Sequence, residues 1–107
     1  MFMGKYPMKY IAWAALFQDT QIFNFLYNSE DIDEYTIKMA IKGGNKVIID
    51  QIMHDFDISC FMDMLIKHHR NAAVIKLIRQ YSLYHNYNHY KNIADQYMNC
   101  RMFLVFQ

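Results

Sequence analysis

Apolar residues recur along this chain in paired steps. Ile22-Phe23 is followed by Leu26-Tyr27, Ile48-Ile49 by Ile52-Met53, Ala73-Val74 by Leu77-Ile78, and Met102-Phe103 by Phe106. Spacing of i, i+1, i+4, i+5 puts such pairs on one stripe of an α-helix. The surrounding segments are themselves alike: AALFQDTQIFNFLY, AIKGGNKVIIDQIM, LIKHHRNAAVIKLI and ADQYMNCRMFLVFQ return at intervals of 25 to 29 residues. Self-similarity at such an interval is the mark of a repeat architecture. In each copy a helix ends near a polar break and a second helix starts just beyond it. The small or apolar residue before the break (Ala14, Ala40, Leu65, Ala94) packs the first helix against the second. The pattern predicts helix pairs at about 9–28, 34–55, 60–81 and 89–106, the last truncated, within one domain spanning 1–107. The links are short, as at 28–33, and the longest irregular stretch is SLYHNYN, Ser82 to Asn88.

The break has a physical reading. Gly43 and Gly44 both suit the positive φ that a sharp helix-to-helix turn demands. Asn45 is placed to cap the second helix, and Asp19 and Asn99 occupy equivalent places. In the third copy His68-His69-Arg70-Asn71 replaces the glycines. The expectation there is strain or a longer turn, with Asn71 taking the cap.

Composition narrows the class. The chain has 107 residues, 54% of them apolar, which suffices for one small core and argues against disorder. One proline and three glycines are too few for a turn-rich all-β protein. The formal net charge of +1 gives no electrostatic reason to expect nucleic acid or an anionic membrane. No run reaches the roughly 18 apolar residues of a membrane span. Ile11 to Phe17, preceded by Lys5 and Lys9, imitates a signal-peptide core, but the same run fits the repeat. Two cysteines are too few for a disulfide framework, so Cys60 and Cys100 read as reduced, mostly buried thiols of a cytoplasmic protein.

The segment Ala40 to Met53 resembles the ankyrin repeat: a small-residue pair, glycine, a short polar link, then a Val/Leu-rich second helix. The Thr-Pro-Leu-His opening of that pattern appears only as Tyr35-Thr36-Ile37-Lys38-Met39, and its closing Gly-Ala-Asp as Phe56-Asp57-Ile58. The interval is shorter than the usual 33 or so residues. AALFQDTQIFNFLY, AIKGGNKVIIDQI and LIKHHRN, in that order, are similar to a divergent ankyrin-type domain of unknown function abundant in protist proteins. The likeness covers about Tyr10 to Tyr81, more weakly the tail. It implies a helical solenoid used for protein contacts, with no catalytic residues to carry over. The missing residues imply hairpin fingers reduced to loops.

Candidate chemistry is sparse. His85 and His89 stand at i, i+4, but without a carboxylate between them the pattern reads as a polar loop rather than a metal site. His68-His69-Arg70 sits at a turn, with no serine or cysteine in a nucleophile setting beside it. Asp55-Phe56-Asp57 and the cluster from Glu30 to Glu34 read as solvated helix-start charges, without the glycine and alternation of a calcium loop. Trp13 and the methionines Met39, Met53, Met62 and Met64 read as core. Tyr81, Tyr84, Tyr87 and Tyr90, interleaved with basic residues from Arg79 to Lys91, form an edge on which single-stranded nucleic acid would stack.

The expected fold is therefore all-α: a short solenoid of ankyrin-like helix-turn-helix pairs with reduced fingers. The expected function is non-enzymatic protein–protein interaction as a scaffold, without cofactor or metal. The outward residues of the first helices, Lys38, Lys42, Asp63, Lys67 and Gln96, form the contact face. The alternative is a nucleic-acid-binding helical repeat using the edge near 79–91, and a degenerate copy without a retained partner is a third reading. The end, Met102 to Gln107, is apolar on nearly all sides. It suggests folding back, a longer array, or self-association through the C-terminus.

Overall fold

A computed structural model describes residues 10–27 and 32–107 of the chain. Most of the expected link at 28–33, up to residue 31, and the Lys5/Lys9 flank lie outside the described residues. Those residues form helices and turns, with no strand among them. They fall into two compact units that divide between Asp55 and Phe56.

The first unit holds α1 (Tyr10–Leu16), α2 (Thr20–Leu26), α3 (Glu34–Gly43) and α4 (Lys46–Asp55). α1 and α2 form one helical hairpin, α3 and α4 another, and the main packing between them is α1 on α3. The alanines of α1 explain how close that packing is. Ala12, Ala14 and Ala15 are fully buried, and a Cβ built on Gly43 would lie 2.4 Å from the Ala15 carbonyl oxygen and 2.7 Å from that of Leu16. Only glycine fits at this crossing. Ile48, Ile49, Ile52 and Met53 of α4 are buried as the stripe requires, and each such side chain contributes about 2 kcal/mol.

The second unit holds α5 (Met62–Lys67), α6 (Asn71–Tyr81), α7 (Tyr87–Gln96) and α8 (Cys100–Val105), with 3-10 turns at Ser59–Phe61 and Leu83–Asn86. Here α5 packs on α7. Ala73, Val74, Leu77 and Ile78 of α6 are buried, as are Met102 and Phe106 at the end of the chain. Ser82 to Asn88 is not irregular: Ser82 closes α6 in the left-handed region, a 3-10 turn follows, and α7 has begun by Tyr87.

All four hairpins share one turn. A residue in the left-handed region is followed at once by the N-cap of the second helix. The pairs are Gln18-Asp19, Gly44-Asn45, His69-Arg70 and Met98-Asn99, with φ of 61°, 80°, 61° and 55° at the first residue. In three of them the N-cap amide reaches back to a carbonyl of the first helix: Asp19 to Ala14 at 2.8 Å, Arg70 to Leu65 at 2.9 Å, and Asn99 to Ala94 at 2.8 Å. This is the Schellman closure that satisfies otherwise orphaned carbonyls. The two glycines therefore do different work. Gly44 supplies the positive φ, whereas Gly43 ends α3 and serves the crossing with α1. The third turn is no longer than the others, because His69 adopts the conformation that glycine holds in the second.

The caps also tie hairpins together. Asp19 accepts from the amide of Ile22 at 3.0 Å, and Asn45 from that of Ile48 at 3.1 Å. Asn99 accepts from Met102 at 3.3 Å. Arg70 holds the remaining N-cap position without a capping side-chain bond, so Asn71 is not the cap. Asn71 instead accepts from the Asn99 side-chain amide at 2.8 Å, while that same nitrogen donates to the Ile66 carbonyl at 3.0 Å. The first unit repeats the arrangement: Asn45 donates to the Thr20 hydroxyl at 3.3 Å. In both units the cap of the later hairpin grips the first helical residue after the earlier cap.

Two expected outcomes follow from these contacts. Gly43→Ala drives a Cβ into backbone, so urea unfolding should show a loss of about 2 kcal/mol or more. Gly44→Asn should cost under about 1 kcal/mol, because asparagine tolerates the left-handed region; equal losses would contradict the division of labour. Asn99→Ala should cost about 2–3 kcal/mol, since it strips a buried cap and strands two partners, against about 1 kcal/mol for Asn45→Ala. The reverse order would refute the tie.

Candidate functional site

The five residues expected on the contact face occupy the first helices, two in the first unit and three in the second. Lys38 and Lys42 lie on α3 of the first unit. Lys38 pairs with Glu34 at 3.1 Å, one turn away and exposed, a contact worth a few tenths of a kcal/mol. Lys42 is exposed in the last turn of α3, where a cation suits the negative end of the helix dipole. Tyr35 stands exposed in the first turn.

Asp63, Lys67 and Gln96 lie in the second unit, Asp63 and Lys67 on α5 and Gln96 at the end of α7. Asp63 and Lys67 are one turn apart on α5, and both reach α7. The two Asp63 carboxylate oxygens lie 2.9 and 3.0 Å from His89 Nε2. Lys67 Nζ lies 5.2 Å from the centre of the Tyr97 ring, next to Gln96. The α5/α7 surface is thus a polar strip with its charges in loose mutual contact. An exposed cation over a ring contributes about 0.5–1 kcal/mol. His89 was not among the expected face residues, because its partner lies 26 positions earlier and only the α5–α7 packing brings them together.

The tyrosine edge is broken up. Tyr87 packs edge-on against Phe106 with ring centres 5.1 Å apart, and Tyr90 is buried against the same ring at 5.6 Å. Lys91 sits over Phe103 at 5.3 Å. Of the four tyrosines only Tyr81 and Tyr84 are exposed, since α7 starts at Tyr87 and its turn carries Tyr90 inward. His85 lies in the 3-10 turn and His89 on Asp63, so the two histidines have separate settings. At the third turn burial holds the Arg70 guanidinium below its ordinary value, and His69 is exposed.

Several residues lie where their type alone misplaces them. Cys60 and Cys100 are free, and both are exposed rather than buried. Cys60 stands in the short 3-10 turn, and Cys100 opens α8, where side chains point back over the preceding turn. Asp55 ends α4 instead of starting a helix, while Asp57 accepts from the Ser59 amide at 2.9 Å. Trp13 is 42% exposed, not core. Within α1 the buried residues are Ile11, Ala12, Ala14 and Ala15, and the helical wheel puts Trp13 and Phe17 on the opposite side, their rings 5.2 Å apart. In α2, Phe23 and Phe25 are two positions apart and cannot share a stripe. Phe23 is buried and Phe25 is 87% exposed. Tyr10, Trp13, Ile22, Phe25 and Leu26 together line an open apolar depression of about 400 Å³. That face was legible in the spacing of the aromatics, had each been placed on its wheel.

On the second-helix side of the first unit, the Tyr27 hydroxyl donates to Asp55 Oδ2 in a short hydrogen bond. Burial, with the Asp55 carboxylate adding to it, pushes the Tyr27 phenol up to about 12.

One family model matches the chain, the Domain of unknown function (DUF3447), over residues 27–106. That is about three quarters of the sequence, and the chain belongs to this family. The match takes in α3 to α8, so it includes the tail, which the expected likeness over Tyr10 to Tyr81 covered only weakly, and it leaves out α1 and α2. No curated protein and no solved structure matches the chain. No helix among the described residues is long and apolar enough to cross a membrane, and no group of three metal-ligating side chains converges among them.

The Tyr27 contact fixes a pH dependence. Its folded pKa lies above the unfolded value near 10, so its stabilisation is complete below about pH 10 and is lost as pH climbs toward about 12. Urea midpoints at about pH 8 and about pH 11 should differ more for the natural chain than for Tyr27→Phe. Equal differences would remove this bond from the account.

Proposed function

We propose that the chain is a non-enzymatic protein-interaction module, built from divergent ankyrin-type helix pairs stacked as a short solenoid. The recurrence of one turn and one inter-hairpin tie carries the reading. Asn45 on Thr20 and Asn99 on Asn71 are the same contact at the same register in two units. Stacked repeats of this kind expose an extended face, and function resides there. The links at 56–61 and 82–86 support reduced fingers, since they hold 3-10 turns where hairpins would stand. With the fingers short, the first helices are the prominent edge, which favours Lys38 and Lys42 in the first unit and Asp63, Lys67 and Gln96 in the second. Two exposed free thiols suit a reducing, cytoplasmic setting.

The partner is a protein with an acidic or mixed-charge surface. The face offers three lysines, and the exposed contacts of Lys38 with Glu34 and of Lys67 with Tyr97 are of a strength that yields readily to a better partner. The test is capture from source-cell lysate by the tagged chain, with and without nuclease, alongside the triple variant Lys38→Glu, Lys42→Glu, Lys67→Glu. The expected result is a protein retained under both conditions and weakened about tenfold or more by the triple variant, with the thermal unfolding of that variant close to the natural chain. Retention that vanishes with nuclease would favour a nucleic-acid partner near 79–91. Undiminished capture by the triple variant would remove this face.

A further inference from the structure

The first hairpin carries almost no charge. From Tyr10 to Tyr27 the one charged residue is Asp19, and its carboxylate caps α2 through the Ile22 amide at 3.0 Å. The large side chains that this hairpin exposes are apolar: Tyr10, Trp13, Phe17, Ile22 and Phe25. Tyr10 and Trp13 stand one turn apart on α1, while Ile22, Phe25 and Leu26 share a side of α2. These five line the depression of about 400 Å³. An occupant gains by displacing water from such a surface. A charge seated there would lose its hydration and find no partner, so the contacting residues of the occupant are apolar.

The segment that leads into α1 has this chemistry. Residues 1–9 read MFMGKYPMK, in which Met1, Phe2, Met3, Tyr6 and Met8 are apolar and Lys5 and Lys9 are the charges. Segments that stay in water are poor in such side chains. Methionine in particular fits itself to irregular apolar surfaces. The segment joins the hairpin at Tyr10, which itself lines the depression, so no linker separates the two. Nine residues reach up to about 30 Å, more than a depression of this volume requires. We propose that this segment is the occupant, a strap that closes over the α1/α2 depression of its own chain. Phe2, Met3 and Tyr6 are its anchors, and Lys5 and Lys9 stay at the rim. Attachment at Tyr10 gives the strap an effective concentration on the order of millimolar, so weak apolar contacts suffice to seat it. The closed strap keeps the aromatic side chains of the first hairpin from other apolar surfaces, and an apolar partner must displace it. The inference uses neither the repeat register nor the lysine face.

Trp13 is the chain's one tryptophan and lines the depression, so its fluorescence reads the site. The full chain is compared with a full-length variant carrying Phe2→Ser, Met3→Ser and Tyr6→Ser, all outside the described residues. The variant should keep its circular dichroism, emit at longer wavelength, and be quenched by acrylamide about twofold faster or more. A peptide of residues 1–9, added to the variant at about millimolar concentration, should restore the natural emission. The difference should be the same at all protein concentrations from about 1 to about 100 µM, since the contact lies within one chain. Phe25→Ser removes part of the floor and should abolish the difference between the natural chain and the triple variant. Equal quenching of those two chains would overturn the proposal. So would protection of Trp13 that grows with concentration, which would put a second copy on the depression. A difference that survives Phe25→Ser would also overturn it, since the segment would then act from another part of the chain.

Discussion

The side-chain amide at the start of each later second helix is the contact on which both units turn. Asn45 and Asn99 each use the oxygen to cap their own helix and the nitrogen to hold the preceding hairpin. One side chain thus fixes where a helix begins and how far its hairpin has slid along the neighbour. Aspartate would cap as well but has nothing to donate. The distribution of the two residues agrees with that chemistry. Asp19 caps the first hairpin of its unit and has only the cap to make, whereas the second hairpin of each unit carries asparagine. Buried at Asn99, the amide has partners for both its nitrogen and its oxygen, and a buried network of that kind specifies one register because any slip strands its members.

The left-handed residue before each cap sets the hand of the turn, and the crossing residues set the spacing. Three non-glycine residues accept a left-handed conformation at about 1 kcal/mol each, offset by the carbonyls that the Schellman closure satisfies. Spacing is where the units part. Ala15 faces Gly43 in the first, and α1 and α3 come nearly into backbone contact. The same register in the second unit pairs Ile66 with Tyr97, whose ring needs room and receives Lys67. In that unit the Ile66 carbonyl accepts from Asn99. The first crossing is thus sealed by backbone packing at Gly43, and the second carries a side-chain amide bond from Asn99.

The helix pairs were legible because apolar stripes and cap residues are local signals. Asp19, Asn45 and Asn99 announce helix starts from their own chemistry, and the isoleucines of α4 can lie only on one stripe. What escaped was every feature that depends on a neighbouring hairpin. Nothing local distinguishes the task of Gly43 from that of Gly44, since the demand on Gly43 comes from Ala15. His69 in the left-handed region runs against residue preference, which the closure of the turn overrides. The Asp63–His89 pair joins residues on different helices, so of the candidate site only its placement on first helices could be read. Trp13 was misplaced for another reason: residue type was allowed to outweigh position on the wheel.

Surface charge and surface apolarity have different tasks in such a molecule. The Asp63–His89 and Lys67–Tyr97 contacts are exposed, so each contributes little to folding and little is lost when a partner displaces it. Charges held so loosely steer an approach and set its orientation. Residence on a partner depends on apolar area taken out of water. The apolar side chains that protrude most, Tyr10, Phe25, Met98 and Leu104, belong to the first and last hairpins and not to the lysine-bearing helices α3 and α5. A partner that uses only the lysine face is therefore held weakly and in a salt-dependent way, whereas a contact that buries those apolar side chains persists in salt.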